Sequence, residues 1–336
     1  MNQIATVIIA VLGTLAALVS LFFAVGLYAF FYIIKRRPFS ELGDNHHSKM
    51  TPQRAEINEM RKVAMEAFKS IEKEVVEIKS FDNLTLRAFL IRTDKRPQNQ
   101  KPRKVVICAH GYTSHPTREF SKITPFLRGL GYDLLLLNDR AHGDSEGKYT
   151  GMSILDRHDV IRWIDFAIKT FGEDCEIFLY GISMGAATVG LVSGMDIPKN
   201  IKGVVMDCGF SSAWIVLKHM MKVNAKFLPL FPTMHIVNFF CKRLANYDLK
   251  ETTTLDAVRR AKVPFLFFHG TADNTVVVQM GRDLYDAVQT EKEIHIYEGL
   301  EHVGSYYFKQ KEYEEAFKNF LERNSGEKAA QSQISA

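Results

Sequence analysis

The chain has 336 residues, 24% of them charged and 46% hydrophobic; this composition excludes a disordered protein and suits one α/β domain of about 250 residues plus an extra segment. A formal net charge of +5, with no dense basic cluster in the folded region, gives no case for nucleic acid, although it is compatible with a nearby anionic membrane surface. Cys108, Cys175, Cys208 and Cys241 show no CxxC spacing, so neither a zinc site nor a disulfide framework is indicated, and no metal is expected.

The stretch 4–34 contains no charged residue and exceeds the roughly 20 apolar residues that cross a bilayer. No positive charge precedes it, it is too long for the apolar part of a signal peptide, and no clear small-x-small cleavage site follows. A transmembrane helix over residues 1–34 is therefore expected. Lys35-Arg36-Arg37 comes next, which by the positive-inside rule puts the bulk of the chain on the cytoplasmic side of a cell membrane; unpaired cysteines agree with that compartment. Residues 35–50, with His46-His47, read as a polar juxtamembrane linker in which the histidine pair is solvated loop. Thr51-Pro52 opens a helical pattern to about Glu72, with Ile57, Met60, Ala64 and Phe68 recurring every three or four residues.

Alternation in 75–78 and 84–91 predicts an antiparallel pair at a sheet edge. Residues 94–104, rich in Lys, Arg and Pro, read as a loop. The pattern then changes to continuous apolar runs at 105–109, 133–137, 176–180, 202–206, 263–268 and 293–297, each followed by a helical segment. Strands without alternation imply a parallel sheet covered on both faces. In such sheets chemistry collects at the carboxyl ends of the strands.

Every candidate motif falls at such an end. His110-Gly111-Tyr112-Thr113 follows the first parallel strand, where the backbone N–H of Tyr112 can serve an oxyanion hole; His110 itself reads as a brace for the loop. Asn138-Asp139-Arg140-Ala141-His142-Gly143-Asp144-Ser145 follows the next strand and reads as a hydrogen-bonded loop supporting the site floor. Gly181-Ile182-Ser183-Met184-Gly185 has the spacing of a nucleophile elbow, in which glycines two places either side of the serine let strand and helix crowd together. The amide of Met184, next after the nucleophile, would be the second oxyanion donor. Asp207 ends a strand. Residues 209–261 interrupt the alternation with Trp214, Met220, Met221, Phe227, Leu228, Phe231, Met234, Phe239 and Phe240; they read as a cap lining an acyl or aromatic pocket, or as an ordinary helical insertion. His269-Gly270-Thr271-Ala272-Asp273 ends a later strand, and Glu298-Gly299-Leu300-Glu301-His302 follows the last one. A serine needs a base, and the base needs a carboxylate to set its tautomer. Ser183, Asp273 and His302 supply these in the chain order expected of one fold, with Asp207 as a rival for the carboxylate. Residues 326–336 have the composition of a disordered tail.

On these residues the stretch from about Val75 to Leu321 resembles the α/β-hydrolase superfamily. It looks closest to bacterial membrane-anchored serine hydrolases of the esterase and lipase type, and is similar also to the catalytic domains of prolyl-oligopeptidase-like enzymes. The resemblance implies an α/β-hydrolase fold over 51–325, with a mostly parallel sheet flanked by helices and a cap at about 209–261. It implies a membrane-anchored serine hydrolase that cleaves a small-molecule or lipid-like ester through an acyl-enzyme, with no cofactor. The alternatives are a thioesterase, a small-peptide amidase or peptidase on the same residues, and a non-catalytic membrane scaffold.

Overall fold

The computed structural model describes residues 3–37, 50–96 and 101–326. Most of the juxtamembrane linker, including His46-His47, and the tail from 327 onward lie outside the described residues. The chain opens with helix α1 (Gln3–Ile34) and, after the linker, α2 (Pro52–Phe68). Thr51 caps α2 by accepting the Arg54 amide at 3.2 Å, and Pro52 occupies the first helical position, where a missing N–H costs nothing.

Strands β1 (Glu74–Lys79) and β2 (Thr85–Ile91) form the antiparallel edge. The remaining strands are β3 (Lys104–Ala109), β4 (Asp133–Leu137), β5 (Glu176–Ile182), β6 (Ile201–Asp207), β7 (Phe265–Gly270) and β8 (Lys292–Tyr297). They build one sheet in the order β1-β2-β4-β3-β5-β6-β7-β8, parallel from β4 to β8. The chain leaves β3 for β4 on one side and then crosses back to β5 on the other, and this reversal opens a crevice at the carboxyl ends of β3 and β5.

Strands β3 to β7 are buried on both faces because they alternate between two cores, whereas β8, expected from 293–297 to be covered on both sides, lies at the sheet edge and is only partly buried. Val105, Ile107 and Ala109 of β3 join Ile177 and Leu179 of β5 on one face. There they pack under α5 (Asp156–Phe171), α6 (Met184–Ser193), α9 (Thr254–Arg260) and α10 (Val278–Ala287), counted with the helices given next. Val106 and Cys108 join Phe178 and Tyr180 on the other face, beneath α2, the short α3 (Pro116–Phe120) and α4 (Thr124–Gly129), and the final α12 (Gln310–Asn324). The stretch 209–261 divides. Helices α7 (Ala213–Asn224) and α8 (Leu230–Phe240), with a π-helical turn over Cys241–Ala245, sit beside the crevice, whereas α9 belongs to the layer on the sheet. A short α11 (Gly304–Phe308) follows β8.

A third core joins α1 to the cap. Ala29, Phe30 and Ile34 are buried with Met184, Met221, Met234 and Val237. Gly26 lies so close to α8 that a Cβ there would stand 2.3 Å from the Ile236 side chain. The backbone continues the attachment, since the Thr150 amide donates to the Ile34 carbonyl at 2.8 Å and the Arg36 amide to Lys148 at 2.9 Å. The Arg36 guanidinium donates to the carbonyls of Ser145 and Gly143. Ahead of Gly26 the helix is exposed nearly throughout. The apolar stretch therefore has two parts, a free one before residue 26 and a docked one after it.

Candidate active site

Ser183 stands between β5 and α6 with φ 56° and ψ −113°, a conformation that strains any residue with a side chain. Two glycines make the turn possible. A Cβ on Gly185 would come within 1.9 Å of the Ala109 carbonyl oxygen, and one on Gly181 within 2.2 Å of the Gly185 oxygen, so strand and helix approach only where both lack one. The Ser183 amide donates to the Asp207 carbonyl at 2.8 Å, which ties the turn to the end of β6.

His302 lies in the loop after β8, and the start of α2 straps that loop. Gln53 donates from Nε2 to the Gly299 carbonyl at 2.8 Å and accepts the Glu301 amide at 3.1 Å, while the Thr51 hydroxyl donates to the Glu301 carboxylate at 2.5 Å. Held in this way, His302 places Nε2 2.9 Å from Ser183 Oγ and Nδ1 2.6 Å from Asp273 Oδ2. The structure thus brings all three predicted side chains together.

Asp273 is buried, and its Oδ1 accepts the amides of Thr275 and Val276 at 2.8 Å each. His269 Nε2, which donates to the Val276 carbonyl at 2.8 Å, lies 3.4 Å from Oδ2. Burial alone would raise this carboxyl's pKa. The neighbouring His302 and the bonds from His269 and His302 outweigh it and hold the group well below the usual carboxylate range. An ionised carboxylate only accepts, so Nδ1 of His302 carries its proton toward Asp273 and the Nε2 lone pair faces the Ser183 hydroxyl.

The rival carboxylate is engaged elsewhere. The Tyr313 hydroxyl donates to Asp207 Oδ2 at 3.1 Å, and Oδ1 is buried without a hydrogen-bond partner. Burial pushes the Asp207 pKa up to about 7 despite the opposing influence of His269.

Tyr112 and Met184 both line the pocket that holds Ser183. Met184 opens α6, where an amide has no intrahelical acceptor. Gly111 brings the Tyr112 loop so near that a Cβ on it would touch Ser183 Cβ at 3.4 Å. The Tyr112 hydroxyl donates to the Ile33 carbonyl at 2.5 Å, which fastens this loop to the end of α1. His110 and His142 brace it from behind. His142 Nε2 accepts the Thr113 amide at 3.1 Å and His110 Nε2 accepts the Asp139 amide at 3.2 Å. Both imidazoles are buried, and burial lowers their pKa, that of His142 to about 3. Burial raises the pKa of the Asp139 carboxyl well above its ordinary value and lowers that of His110, so both shifts oppose an ion pair across their 3.8 Å separation. Arg140 is locked by Asp159 at 2.6 and 2.8 Å and by Asp82 at 3.0 Å. The loop is a support.

Cys208, Asp273 and His302 bring one ligand atom each within 4.8 Å of one another. Burial raises the Cys208 thiol well above its usual pKa, and the carboxylate and imidazole are already bonded to each other. This donor set suits a thiol beside a hydrogen-bonded carboxylate and imidazole rather than a cation.

The pocket over Ser183 is a narrow cleft of about 70 Å³, walled by Met152, Phe210, Val216, Leu217, Met220 and Val276. Of the bulky cap residues singled out in the sequence, only Met220 reaches it. Met221 and Met234 fill the cap core, while Phe227 and Phe231 are 84% and 74% exposed. Several pocket residues carried no sequence signal, among them Met152, Thr275, Val276 and the arginine from the first turn of α2, Arg54.

The stretches 100–254 and 247–303 match the family model described as serine aminopeptidase, S33. An uncharacterised Bacillus subtilis protein, YqkD, is 26% identical over 257 residues, or 76% of this chain and 82% of its own length. Among solved structures, the Pyrococcus furiosus esterase Pf2001 aligns with a TM-score of 0.63 at 24% identity, over 87% of this chain and 99% of that one. Est1E from Butyrivibrio proteoclasticus, solved with ferulic acid bound, aligns with a TM-score of 0.57 at 20% identity, over 74% of this chain and 98% of that one. The α/β-hydrolase fold expected from the motifs is the fold this chain has.

Proposed function

We propose that this chain, which belongs to the serine aminopeptidase S33 family of α/β hydrolases, is a membrane-tethered serine hydrolase that cleaves carboxylic esters through an acyl-enzyme. The observation that carries the reading is the hydrogen-bonded relay from Ser183 through His302 to Asp273, at 2.9 and 2.6 Å. In this mechanism Ser183 Oγ attacks the ester carbonyl while His302 Nε2 takes its proton. Asp273 keeps Nδ1 protonated and stabilises the imidazolium. The amides of Tyr112 and Met184 receive the oxyanion, a contribution of a few kcal/mol. Collapse of the adduct expels the alcohol, which takes the proton from His302. Water, activated by the same histidine, then releases the acid and restores Ser183. The scheme calls on no metal or organic cofactor.

The apolar walls of the pocket favour an acyl or aromatic body on the substrate, in keeping with the names of the Pyrococcus and Butyrivibrio structures. The family description favours a second reading, hydrolysis of a short peptide amide. Against that reading, an α-ammonium needs an acidic partner, and no Asp or Glu lines the pocket among the described residues. Parallel kinetics on matched oxygen esters, thioesters and aminopeptides separate these possibilities.

Tethering is supported by the free part of α1. Its 23 residues before Gly26, 20 of them exposed, span about 34 Å at 1.5 Å each, roughly the thickness of a bilayer core. Lys35, Arg36 and Arg37 after the helix favour a cytoplasmic domain, although Arg36 also serves the fold.

The test uses the full chain in lipid nanodiscs. Ser183→Ala is expected to abolish turnover of short p-nitrophenyl esters and labelling by a fluorophosphonate probe while leaving thermal unfolding intact. Turnover that survives in this variant removes Ser183 from the mechanism, and a wild type that never labels leaves a non-catalytic scaffold.

A further inference from the structure

Arg54 is a half-buried cation in a largely apolar pocket, and no carboxylate there pairs with it directly. Its Nη1 is buried without a hydrogen-bond partner, and its guanidinium makes no ion pair among the described residues. The carboxylates whose charge reaches it, Glu301, Asp273 and Glu119, form no ion pair with it and hold other donors. Glu301 accepts from the Thr51 hydroxyl, Glu119 from Arg61 and Ser114, and Asp273 from His302 and two backbone amides. Burial, followed by repulsion from Arg61, lowers the pKa of Arg54, and the charges of Glu301, Asp273 and Glu119 only partly offset this. A guanidinium nonetheless keeps its proton at neutral pH.

With the residue half-buried and Nη1 buried without a partner, an anionic ligand would supply the missing acceptor. The surroundings also fix its aim. Arg54 lies one residue beyond Gln53, whose amide grips the loop carrying His302, and it lines the same cleft as Ser183 and His302. A planar fork of donors beside the reacting hydroxyl matches a carboxylate or phosphate oxygen pair.

We infer that Arg54 is an anion-binding point inside the Ser183 pocket, so that the substrate is an ester carrying a carboxylate or phosphate beside its apolar body. The inference rests on the ester-hydrolase reading for the identity of the scissile bond, and on the pocket alone for the anion. The two sources of the anion, the acyl chain or the alcohol, call for separate arms in the test.

In nanodiscs, kcat/KM is compared for 4-nitrophenyl hemiglutarate against its methyl ester, and for a 1-acylglycerol 3-phosphate against the matching monoacylglycerol. At least one anionic member is expected to be favoured by about 10- to 100-fold, the range of a charge-assisted hydrogen bond. That ratio should fall toward one in Arg54→Gln and be partly kept in Arg54→Lys. Ratios near one in the wild type, or a preference unchanged in Arg54→Gln, overturn the inference. Binding of hexanoate and hexyl phosphate against hexanol is measured in Ser183→Ala and in Ser183→Ala/Arg54→Gln. A preference for the anions that depends on Arg54 supports the site, and equal binding refutes it. If no ester turns over, the hydrolase reading fails while the binding comparison still decides the anion site.

Discussion

Replacing Asp273 by asparagine tests the relay, because the hydrogen bonds around this residue dictate how the amide must sit. Oδ1 accepts two backbone amides at 2.8 Å. An asparagine that turned its NH2 toward them would set donor against donor twice, so its oxygen is expected to keep that side. Its NH2 then replaces Oδ2 and faces His302 Nδ1, now at 2.6 Å from that position. The imidazole can accept this donor only by moving its proton to Nε2, which points an N–H at Ser183 Oγ and removes the lone pair that takes the serine proton. Loss of general-base assistance costs about 10²–10⁴ in rate. Loss of the charge-assisted bond costs about 1.5–3 kcal/mol of stability, too little to unfold a domain of this size. The assay is kcat for 4-nitrophenyl butyrate with the full chain in nanodiscs, alongside thermal unfolding. A folded Asp273→Asn variant that retains more than about a tenth of wild-type kcat would refute the tautomer argument. An equal loss in Asp207→Asn, with Asp273→Asn active, would move the role to Asp207.

Two further outcomes follow from burial. Removing residues 1–34 discards Phe30 and Ile34, each 0% exposed; at about 1.5–3 kcal/mol per buried large side chain the loss is roughly 3–6 kcal/mol. Removing only 1–24 spares both, so the shorter deletion should unfold at a distinctly higher temperature than the longer one, and equal midpoints would show that the docked turns of α1 contribute nothing. Asp207, with a folded pKa of about 7 against about 3.9 unfolded, binds its proton more tightly when folded. Its contribution is full below about pH 4 and is lost as pH rises through 7. Asp207→Asn should therefore gain in melting temperature relative to wild type between pH 5 and pH 8, whereas a constant difference would mean the carboxyl is not held neutral.

Much of the sheet was legible because its signal is local. Continuous apolar runs such as 134–137 have no polar face to offer solvent, so they read as strands covered on both sides, and they form most of β4 (Asp133–Leu137). The Ser183 turn was legible for the same reason: the steric demand that excludes side chains at Gly181 and Gly185 acts within five residues. Chain order then limited the partners of Ser183 to a late acid and a late histidine.

The choice between Asp207 and Asp273 belonged only in part to the sequence. Asp207 ends one strand and Asp273 follows another; the His-Gly-x-x-Asp turn favours Asp273 in the sequence, and the packing of Tyr313 against Asp207 and the bend of the 273–276 turn around Asp273 give that preference a physical basis. The apolar amino terminus likewise announced a helix but not where it stops being free, because Ile4 and Ile34 are equally greasy and only α8 and the 148–150 backbone distinguish them. Arg54 had no signature at all. Its meaning comes from a place in the Ser183 cleft with no ion-pair partner among the described residues, a property of three-dimensional surroundings that no spacing along the chain encodes.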